Sequence, residues 1–389
     1  MDQSNVKKSY IVYIFIIALP FSWAAFVVGS FYRVATIVLF LLFLIISKFI
    51  IHVYEEDKTL IFCWLAYIGY GILTTFWAVN QQAAISNSMG LLLLGMIVVV
   101  FFSTTIMKAN TKIDYCWIAA GALCAILYIF GDRTSVGEYG SRTSMVIMGT
   151  PTDPNEFASA FIVPAALLVY ELINSDRSSR RIMCCMILLV IAYCVLMSGS
   201  RGALISVVLA GILTYLFEGK MNAKTIIMAI AFILVILITA DNLILPLIPQ
   251  DVLNRLSLAE LLQDGGSGRS DIWADAIRKV WNGSAMRLFF GYGQYGLTVG
   301  TSGTTQTMHN QLLQQLTNYG IVGLVLYIAL IANSYMMIRK RCPRYTGAFW
   351  GMMLMSMTIT MSSAYKLLWI LLLMPVLFHG SVGEMRNSE

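Results

Sequence analysis

Apolar stretches of about twenty residues alternate with short polar connections along most of this 389-residue chain. A helix of that length crosses the hydrocarbon core of a bilayer, so the pattern predicts a polytopic membrane protein of all-α fold class with about twelve transmembrane helices. The predicted spans are residues 9–30, 34–53, 60–79, 86–106, 115–131, 156–174, 181–198, 202–217, 224–246, 311–338, 347–363 and 366–382. We expect them to form a single integral membrane domain over residues 1–389.

Basic residues cluster in alternate connections, which orients the predicted spans. These basic residues are Lys7, Lys8, Lys48, Lys58, Lys108, Lys112, Arg177, Arg180, Arg181, Lys220, Lys224, Arg339, Lys340, Arg341 and Arg344. Because cytoplasmic loops carry the excess of lysine and arginine, both termini are predicted to be inside. The long connections 131–155 and 247–310 are then external, and the net charge of +6 serves mainly as cytoplasmic anchoring, not nucleic-acid binding.

Composition supports the same class and excludes others. Hydrophobic residues make up 58% of the chain and charged residues 12%, too little charge to cover a soluble protein of this size. The seven cysteines lie in or near predicted spans or on the predicted cytoplasmic side. We therefore expect no structural disulfide, and the absence of Cys/His clusters with ligand spacing predicts neither a metal site nor a cofactor.

The large external loop, residues 247–310, is predicted to be partly helical. Apolar positions in 252–263 suit a short interfacial helix, and the Gly-Gly-Ser-Gly run at 265–268 is flexible. A second helix over 271–281 would be capped by Ser270. Loops of this length in compact proteins are usually functional or disordered, and the apolar faces argue against disorder.

Several charged and polar residues fall at predicted helix starts on the outer face. Arg201 precedes span 202–217, Arg269 precedes the loop helix, His309 precedes span 311–338, and Asp153-Pro154-Asn155-Glu156 opens span 156–174. Helix N-termini favour anions, and guanidinium groups grip phosphate oxygens in a bidentate manner. The sequence therefore suggests chemistry on a phosphorylated lipid, with a diphosphate as the ligand that suits the setting.

Each of these residues also has a purely structural explanation. Arg201 can anchor its helix at the membrane interface, and Arg269 can pair with Asp271 or Asp264. His309 can be a satisfied helix-start residue, and Asp153 and Glu156 can be helix-start carboxylates that interact with a helix dipole. The functional interpretation depends on their convergence on one face of the membrane.

The chain resembles the O-antigen ligase and polymerase superfamily of bacterial membrane glycosyltransferases, over a core region at residues 195–335. The resemblance lies in the order and spacing of five segments: Ser200-Arg201-Gly202, Gly268-Arg269-Ser270-Asp271-Ile272-Trp273, Gly291-Tyr292-Gly293, His309-Asn310-Gln311-Leu312-Leu313 and Asn318-Tyr319-Gly320-Ile321-Val322-Gly323. It implies a metal-independent, inverting transfer of a glycan from a polyprenyl (undecaprenyl) diphosphate-linked oligosaccharide. The reaction would take place on the outer face of the bacterial cytoplasmic (inner) membrane, facing the periplasm or cell exterior.

The resemblance also assigns roles to residues. Arg201 and Arg269 would bind the donor diphosphate and stabilise the leaving group. His309 would orient or deprotonate the acceptor hydroxyl, with Asn310 among the substrate-binding residues.

Two further residues belong to this prediction through the box that precedes span 156–174. Asn155 and Glu156 are predicted to contact substrate, and Glu156 or Asp153 stands as an alternative to the histidine as base. The partners implied are membrane lipid, the lipid-linked donor, an acceptor glycan or glycolipid, and a chain-length regulator as a candidate.

Three functional alternatives stay open at this level. The box Gly149-Thr150-Pro151-Thr152-Asp153-Pro154-Asn155 resembles one in polysaccharide polymerases and favours an O-antigen polymerase. An O-antigen ligase that transfers the glycan to lipid A core, in lipopolysaccharide synthesis, is the first alternative, and transfer of glycans to protein is another. A transporter or flippase is the third, but such proteins tend to show repeated halves and charged groups near the midplane.

Overall fold

The computed structural model describes most of the chain and is mainly helical. It covers residues 3–23, 25–26, 29–106, 111–136, 142–147, 149–218, 250, 252, 269–299, 307–361 and 366–379. The described chain divides into two compact units, the first comprising Met1–Ala120, Gly268–Pro343 and Met353–Glu389, and the second Gly121–Ser267 and Arg344–Met352. All seven cysteines are free thiols.

Fourteen α-helices, labelled α1 to α14 in chain order, lie in the described ranges. They are Gln3–Ile17, Phe31–Ile46, Lys58–Leu73, Gln81–Phe102, Lys112–Phe130, Pro154–Ser159, Ile162–Asn174, Ser178–Met197, Arg201–Glu218, Arg269–Trp281, Ala285–Phe290, Gln311–Arg341, Thr346–Ser356 and Lys366–Leu373. Short 3₁₀ turns extend several of them, as at Leu19–Trp23, Thr74–Trp77 and Met374–Leu377.

Seven of the described helices are long and apolar enough to cross a membrane. They are Glu55–Trp77, Gln81–Phe102, Lys112–Phe130, Pro154–Asn174, Ser178–Met197, Arg201–Glu218 and Gln311–Arg341, each matching a predicted span to within a few residues. Phe31–Ile46 and Lys366–Leu377 are shorter apolar helices. The predicted span 224–246 lies outside the described residues, and so does most of the predicted interfacial helix 252–263.

The predicted span 347–363 differs from the structure. Helix α13 covers only the eleven residues Thr346–Ser356, and the chain then continues without regular structure to Met361. Eleven residues rise about 16 Å, roughly half of a bilayer core. The polar residues Thr358 and Thr360 accompany this early end of the helix.

The mainly helical fold agrees with the prediction, but the described residues also form two small antiparallel sheets that it did not include. Strands β1 (Ala25–Phe26) and β2 (Gly29–Ser30) pair, and β3 (Arg133–Val136), β4 (Arg142–Ile147) and β5 (Thr150–Pro151) form a three-stranded sheet in that order. In the register of β3 and β4, Thr134 pairs with Ser144 and Ser135 with Thr143. β-Branched residues favour a pleated strand, and the helical period that identified the spans does not report on such a short hairpin.

The core of the first unit is built around aromatic residues on helices α3 and α12. The ring centroid of Tyr67 lies 6.2 Å from that of Tyr319 and 5.6 Å from that of Trp369. Trp64 packs edge-on against Trp369 at 5.9 Å. These buried rings hold α12 beside α3, and α12 carries the residues that follow His309.

Helix α12 is interrupted at Gly320, which the prediction of one continuous span did not anticipate. Gly320 has φ 67° and ψ −167°, a conformation that glycine adopts without steric cost. A Cβ there would clash with the carbonyl oxygen of Phe289. The break therefore allows the loop around Phe289 to approach the helix backbone closely.

In the second unit, two helix segments approach through small residues. Gly347 and Gly351 are spaced by four on α13, and they face Ser206, Ala210 and Thr214 of α9. A Cβ on Gly351 would lie 2.7 Å from the carbonyl oxygen of Ser206. Small residues at this spacing allow helices in a membrane to pack backbone against backbone.

Candidate active site

His309 lies immediately before helix α12 and does not itself cap it. The cap is Asn310, whose Oδ1 accepts a hydrogen bond from the Leu313 backbone N–H at 3.1 Å. His309 has a left-handed backbone with φ 48°, and its ring is half-buried. The ring Nε2 lies 3.1 Å from Thr307 Oγ1. The imidazole is thus oriented by a hydroxyl and partly accessible, as a residue acting on a hydroxyl substrate must be.

A ladder of buried amide side chains runs along the first turns of α12. Gln314 Nε2 donates to Asn318 Oδ1 at 2.8 Å, and Asn318 Nδ2 donates to Gln294 Oε1 at 2.5 Å. All three side chains are buried. Burying an amide away from water costs free energy unless the amide is hydrogen-bonded, and the bonds within this ladder offset that cost.

The ladder is tied to the irregular segment that follows helix α13. Gln314 Oε1 accepts from the Met308 N–H at 2.9 Å and from the Thr360 hydroxyl at 3.2 Å. Thr360 Oγ1 in turn accepts from the His309 N–H at 3.1 Å, and Gln311 Oε1 accepts from Met361 N–H at 2.7 Å. Non-helical backbone at membrane depth is tolerated where it is buried in protein or lines a cavity.

The loop helix begins two residues earlier than predicted. Helix α10 starts at Arg269, so Ser270 lies within its first turn and is not its cap. Arg269 is half-buried at that start. Trp273 Nε1 donates to the Met308 carbonyl at 2.7 Å, which places the helix of Arg269 beside the residue preceding His309.

The same loop helix packs through its buried residues onto the segment before α12. The apolar cluster contains Ala276, Val280, Leu297, Val299 and Met308, with Ile272, Leu288, Tyr292, Leu313 and Leu316 packed against it. The predicted apolar face is thus buried in part, whereas Trp281 is 76% exposed. This packing makes the described end of the predicted external loop part of the first unit.

Two of the motifs that carry the family resemblance meet through their backbones. The N–H groups of Tyr292 and Gly293 donate to the carbonyls of Thr317 and Asn318, both at 2.9 Å. These carbonyls are released from the helical pattern by the break at Gly320. The Gly-Tyr-Gly segment therefore acts as a partner for the interrupted helix, in place of the missing intrahelical bonds.

The second unit contains the other group of predicted residues. Asp153 caps helix α6, since its Oδ1 accepts from the N–H groups of Asn155 at 2.7 Å and Glu156 at 3.2 Å. The Ser200 hydroxyl donates to Asn155 Oδ1 at 2.8 Å. Ser200 is fully buried and directly precedes Arg201, the first residue of α9. The Asp-Pro-Asn box and the Ser-Arg-Gly segment are therefore joined by a direct hydrogen bond.

The three-stranded sheet holds that box from the other side. The Thr152 N–H donates to the Met145 carbonyl at 2.9 Å, and the Ser144 and Thr152 hydroxyls are 3.0 Å apart. Phe157 on α6 stacks on Tyr128 with ring centroids 4.8 Å apart. The start of α6 is thus fixed by a hairpin that helical periodicity could not predict.

The predicted site residues fall into two groups, one in each unit. Arg269, His309 and Asn310 lie in the first unit, whereas Asn155, Glu156 and Arg201 lie in the second. Arg201, Asn155 and Glu156 are all half-buried at the starts of their helices. Asp153 is exposed and already accepts two N–H groups, which supports the structural explanation for that carboxylate.

Several polar residues of the region were missed by sequence reasoning. Gln294, Gln314 and Asn318 make the ladder, Thr360 bonds Gln314, and Lys366 is a buried cation, 5% exposed, at the start of α14. A run of amides within an apolar helix was the available signal for Gln314 and Asn318. No local pattern pointed to Gln294 or Thr360, because both are joined to the ladder by long-range contacts.

In the part of the chain that the structure describes, no group of three histidine, cysteine or carboxylate side chains is arranged to hold a metal ion. A cavity of about 390 Å³ lies among Ile14, Ile17, Phe21, Phe31 and Val38 with their neighbours in α1 and α2. Its lining is apolar, so it offers no group for chemistry. The side chains that could take part in binding or catalysis are those of the polar ladder, the half-buried histidine and the arginines at the helix starts.

Comparison with known proteins connects these features to a family. Residues 185–328 match the model of the O-antigen ligase family, a range that includes Arg201, Arg269, His309 and the start of α12. No curated protein matches the chain. A solved structure described as "Structural coordination of polymerization and crosslinking by a peptidoglycan synthase complex" is similar at 16% identity and a TM-score of 0.48, covering 86% of this chain and 99% of that chain.

Proposed function

We propose, on the premise that this chain belongs through residues 185–328 to the O-antigen ligase and polymerase superfamily, that it transfers a glycan from a polyprenyl diphosphate donor to a sugar hydroxyl. The family is one of glycosyltransferase-like membrane enzymes that use lipid-linked glycans and acceptors. We propose further that the transfer inverts the anomeric carbon, needs no metal ion and takes place on the outer face of the inner membrane.

The observation that carries the proposal is the setting of His309. Its half-buried ring contacts the Thr307 hydroxyl, its backbone N–H donates to Thr360, and the next residue, Asn310, caps helix α12. If its Nε2–H donates to Thr307, the opposite ring nitrogen is an acceptor, as a general base requires. This tautomer allows His309 to take the proton from the acceptor hydroxyl.

For the donor, we assign diphosphate binding to Arg201 and Arg269. Each is the first residue of its helix, where backbone N–H groups and the dipole favour an anion. Their guanidinium groups offset the charge that develops on the departing diphosphate, the role that a metal ion plays in other phosphate chemistry. Asn155, Glu156 and Asn310 are assigned to substrate contacts.

The reaction then balances without a cofactor. The acceptor oxygen bonds to the anomeric carbon from the face opposite the phosphate, the carbon–oxygen bond to the diphosphate breaks, and that oxygen keeps the electron pair. The acceptor proton passes to His309, and Glu156 remains the alternative base. Inversion at the anomeric carbon follows from a single displacement.

Between the subclasses we favour a polymerase, which joins one lipid-linked repeat to another. Support comes from the Asp-Pro-Asn box, whose Asn155 is bonded to Ser200 next to Arg201. The alternative is an O-antigen ligase acting on lipid A core. Family membership supports glycan transfer over a transporter or flippase.

A reconstitution experiment tests the function. Purified protein is given a lipid-linked repeat unit, without and with a lipid A core acceptor, and the products are separated by size. A ladder without added acceptor indicates a polymerase, and product only with lipid A core indicates a ligase. Turnover of neither substrate, with donor transfer across vesicles instead, would support transport.

A further inference from the structure

The backbone around His309 is held by polar side chains that come from distant parts of the first unit. Both backbone polar groups of Met308 are hydrogen-bonded. Its N–H donates to Gln314 Oε1 at 2.9 Å, and its carbonyl accepts from Trp273 Nε1 at 2.7 Å. The next N–H, that of His309, donates to Thr360 Oγ1 at 3.1 Å. The peptide group between Met308 and His309 is therefore held at both its carbonyl and its N–H, directly before the histidine Cα.

These contacts form one directional chain of hydrogen bonds. The His309 N–H donates to the Thr360 hydroxyl, which donates to Gln314 Oε1. Gln314 Nε2 donates to Asn318 Oδ1, and Asn318 Nδ2 donates to Gln294 Oε1. Because each amide has one acceptor and one donor end, the direction at one member sets the orientation of the next.

His309 needs such a restraint because of its backbone conformation. A φ of 48° is uncommon for a residue with a side chain and persists where the surroundings hold it. Strained backbone of this kind clusters at functional sites. Without the Thr360 hydroxyl, the His309 N–H would lose this hydrogen bond, and a change to the preferred extended backbone would reorient the imidazole.

We propose that Thr360, acting with Gln314, is a positioning residue that holds His309 in the orientation needed for transfer. The inference rests on the proposed function, in which His309 acts on the acceptor hydroxyl. Thr360 touches no reacting atom in this scheme and acts only through the histidine. Its effect should therefore be on the rate of transfer and not on the affinity for the donor.

The test compares two substitutions at one site. Thr360→Val keeps the shape of the side chain and removes the hydroxyl, whereas Thr360→Ser keeps the hydroxyl. We expect Thr360→Val to lower kcat by about tenfold to a hundredfold, since small misplacements of a catalytic group cost rates of that order. The donor KM should stay unchanged, and Thr360→Ser should retain most of the activity.

A double-substitution cycle separates positioning from a general structural role. In a His309→Ala background, Thr360→Val should cause no further loss, because the residue it positions is absent. Equal fold-losses in both backgrounds would overturn the inference, as would a fully active Thr360→Val. If His309→Ala itself is fully active, the histidine assignment of the proposed function fails instead.

A second pair of variants guards against a protein that does not fold. Gln314→Met should reproduce the loss in kcat, because it removes the acceptor shared by Met308 and Thr360. Gln315→Met is the matched control, since Gln315 is the next buried amide on the same helix and bonds Tyr67 at 3.1 Å, outside the ladder. Donor binding by each detergent-purified variant confirms folding, and equal losses in the two glutamine variants would count against the proposal.

Discussion

The segment around His309 in the first unit and the segment from Asp153 to Arg201 in the second are held by different means. At the histidine, bonds come from Thr360 and Trp273, residues on separate segments of the chain. In the second unit, Asp153 accepts the N–H groups of Asn155 and Glu156 within the turn that it caps, and the Ser200 hydroxyl donates to Asn155 from 45 residues along the chain.

This difference fits the two kinds of chemistry that we assign. A base must meet one proton along one direction, so its backbone has to be fixed from several sides. An anion site can be built locally, because a helix start already presents N–H groups and a favourable dipole. Substitutions should therefore affect the two segments in different kinetic constants.

The largest effect is expected from His309→Ala. Loss of a general base should lower transfer by about a hundredfold or more, while lipid diphosphate still binds. Turnover with a lipid-linked repeat and a separate donor-binding assay measure the two quantities. Gln315→Met is the control, because Gln315 is a buried amide on α12 that bonds Tyr67 and is assigned no part in transfer, so it should lose far less activity.

The acid side of the pH profile tests the same role. Only neutral imidazole accepts a proton, so wild-type activity should fall as the pH drops through the range where histidine becomes protonated. The His309→Ala residual rate should lack that dependence. Near-normal turnover of His309→Ala would leave the residue with a structural role, and lost donor binding would assign it to the phosphate.

Replacement of either arginine by lysine should have the next largest effect, now on donor recognition. Lysine keeps the charge but cannot form the bidentate fork, and removal of one charged hydrogen bond costs about 2 kcal/mol, or roughly thirtyfold in kcat/KM. Arg201→Lys and Arg269→Lys are compared with Arg278→Lys, an exposed arginine on the same loop helix as Arg269. Unchanged donor affinity and full transfer in both variants would contradict the diphosphate assignment.

A smaller effect is expected where the Asp-Pro-Asn box meets the Ser-Arg-Gly segment. Ser200→Ala removes the donor to Asn155, and loss of a neutral hydrogen bond of about 1 kcal/mol should lower kcat/KM by about fivefold. Ser200→Thr keeps the hydroxyl and should be nearly normal. Identical kinetics for the alanine variant and wild type would show that the bond does not support the site.

Removal of divalent ions should have no effect. The proposed scheme offsets the diphosphate charge with guanidinium groups, so transfer should be complete in excess EDTA. Activity measured before and after chelation, with Mg²⁺ or Mn²⁺ added back, checks this. A loss of activity that either ion restores would contradict the arginine-based scheme and make Asp153 and Glu156 the candidate metal ligands.

What the sequence by itself determined is local. Runs of apolar residues predicted the seven long apolar helices found among the described residues, because the length of an apolar stretch can be read from consecutive residues. Helix starts at Asp153 and near Arg201 were readable for the same reason, since a cap and the turn it caps lie within four residues. The order of the motifs was enough to suggest the O-antigen ligase and polymerase superfamily, and residues 185–328 match the O-antigen ligase family model.

What only the tertiary structure decided is how distant segments complete one another. Gly320 breaks a helix that reads as continuous, since the Gly-Tyr-Gly segment supplies N–H donors to its carbonyls. Thr360 lies in a predicted span yet bonds the backbone of His309, about fifty residues away. Such pairs depend on packing between segments and leave no periodic signal in either one, so the residues that hold the histidine could be found only in the folded chain.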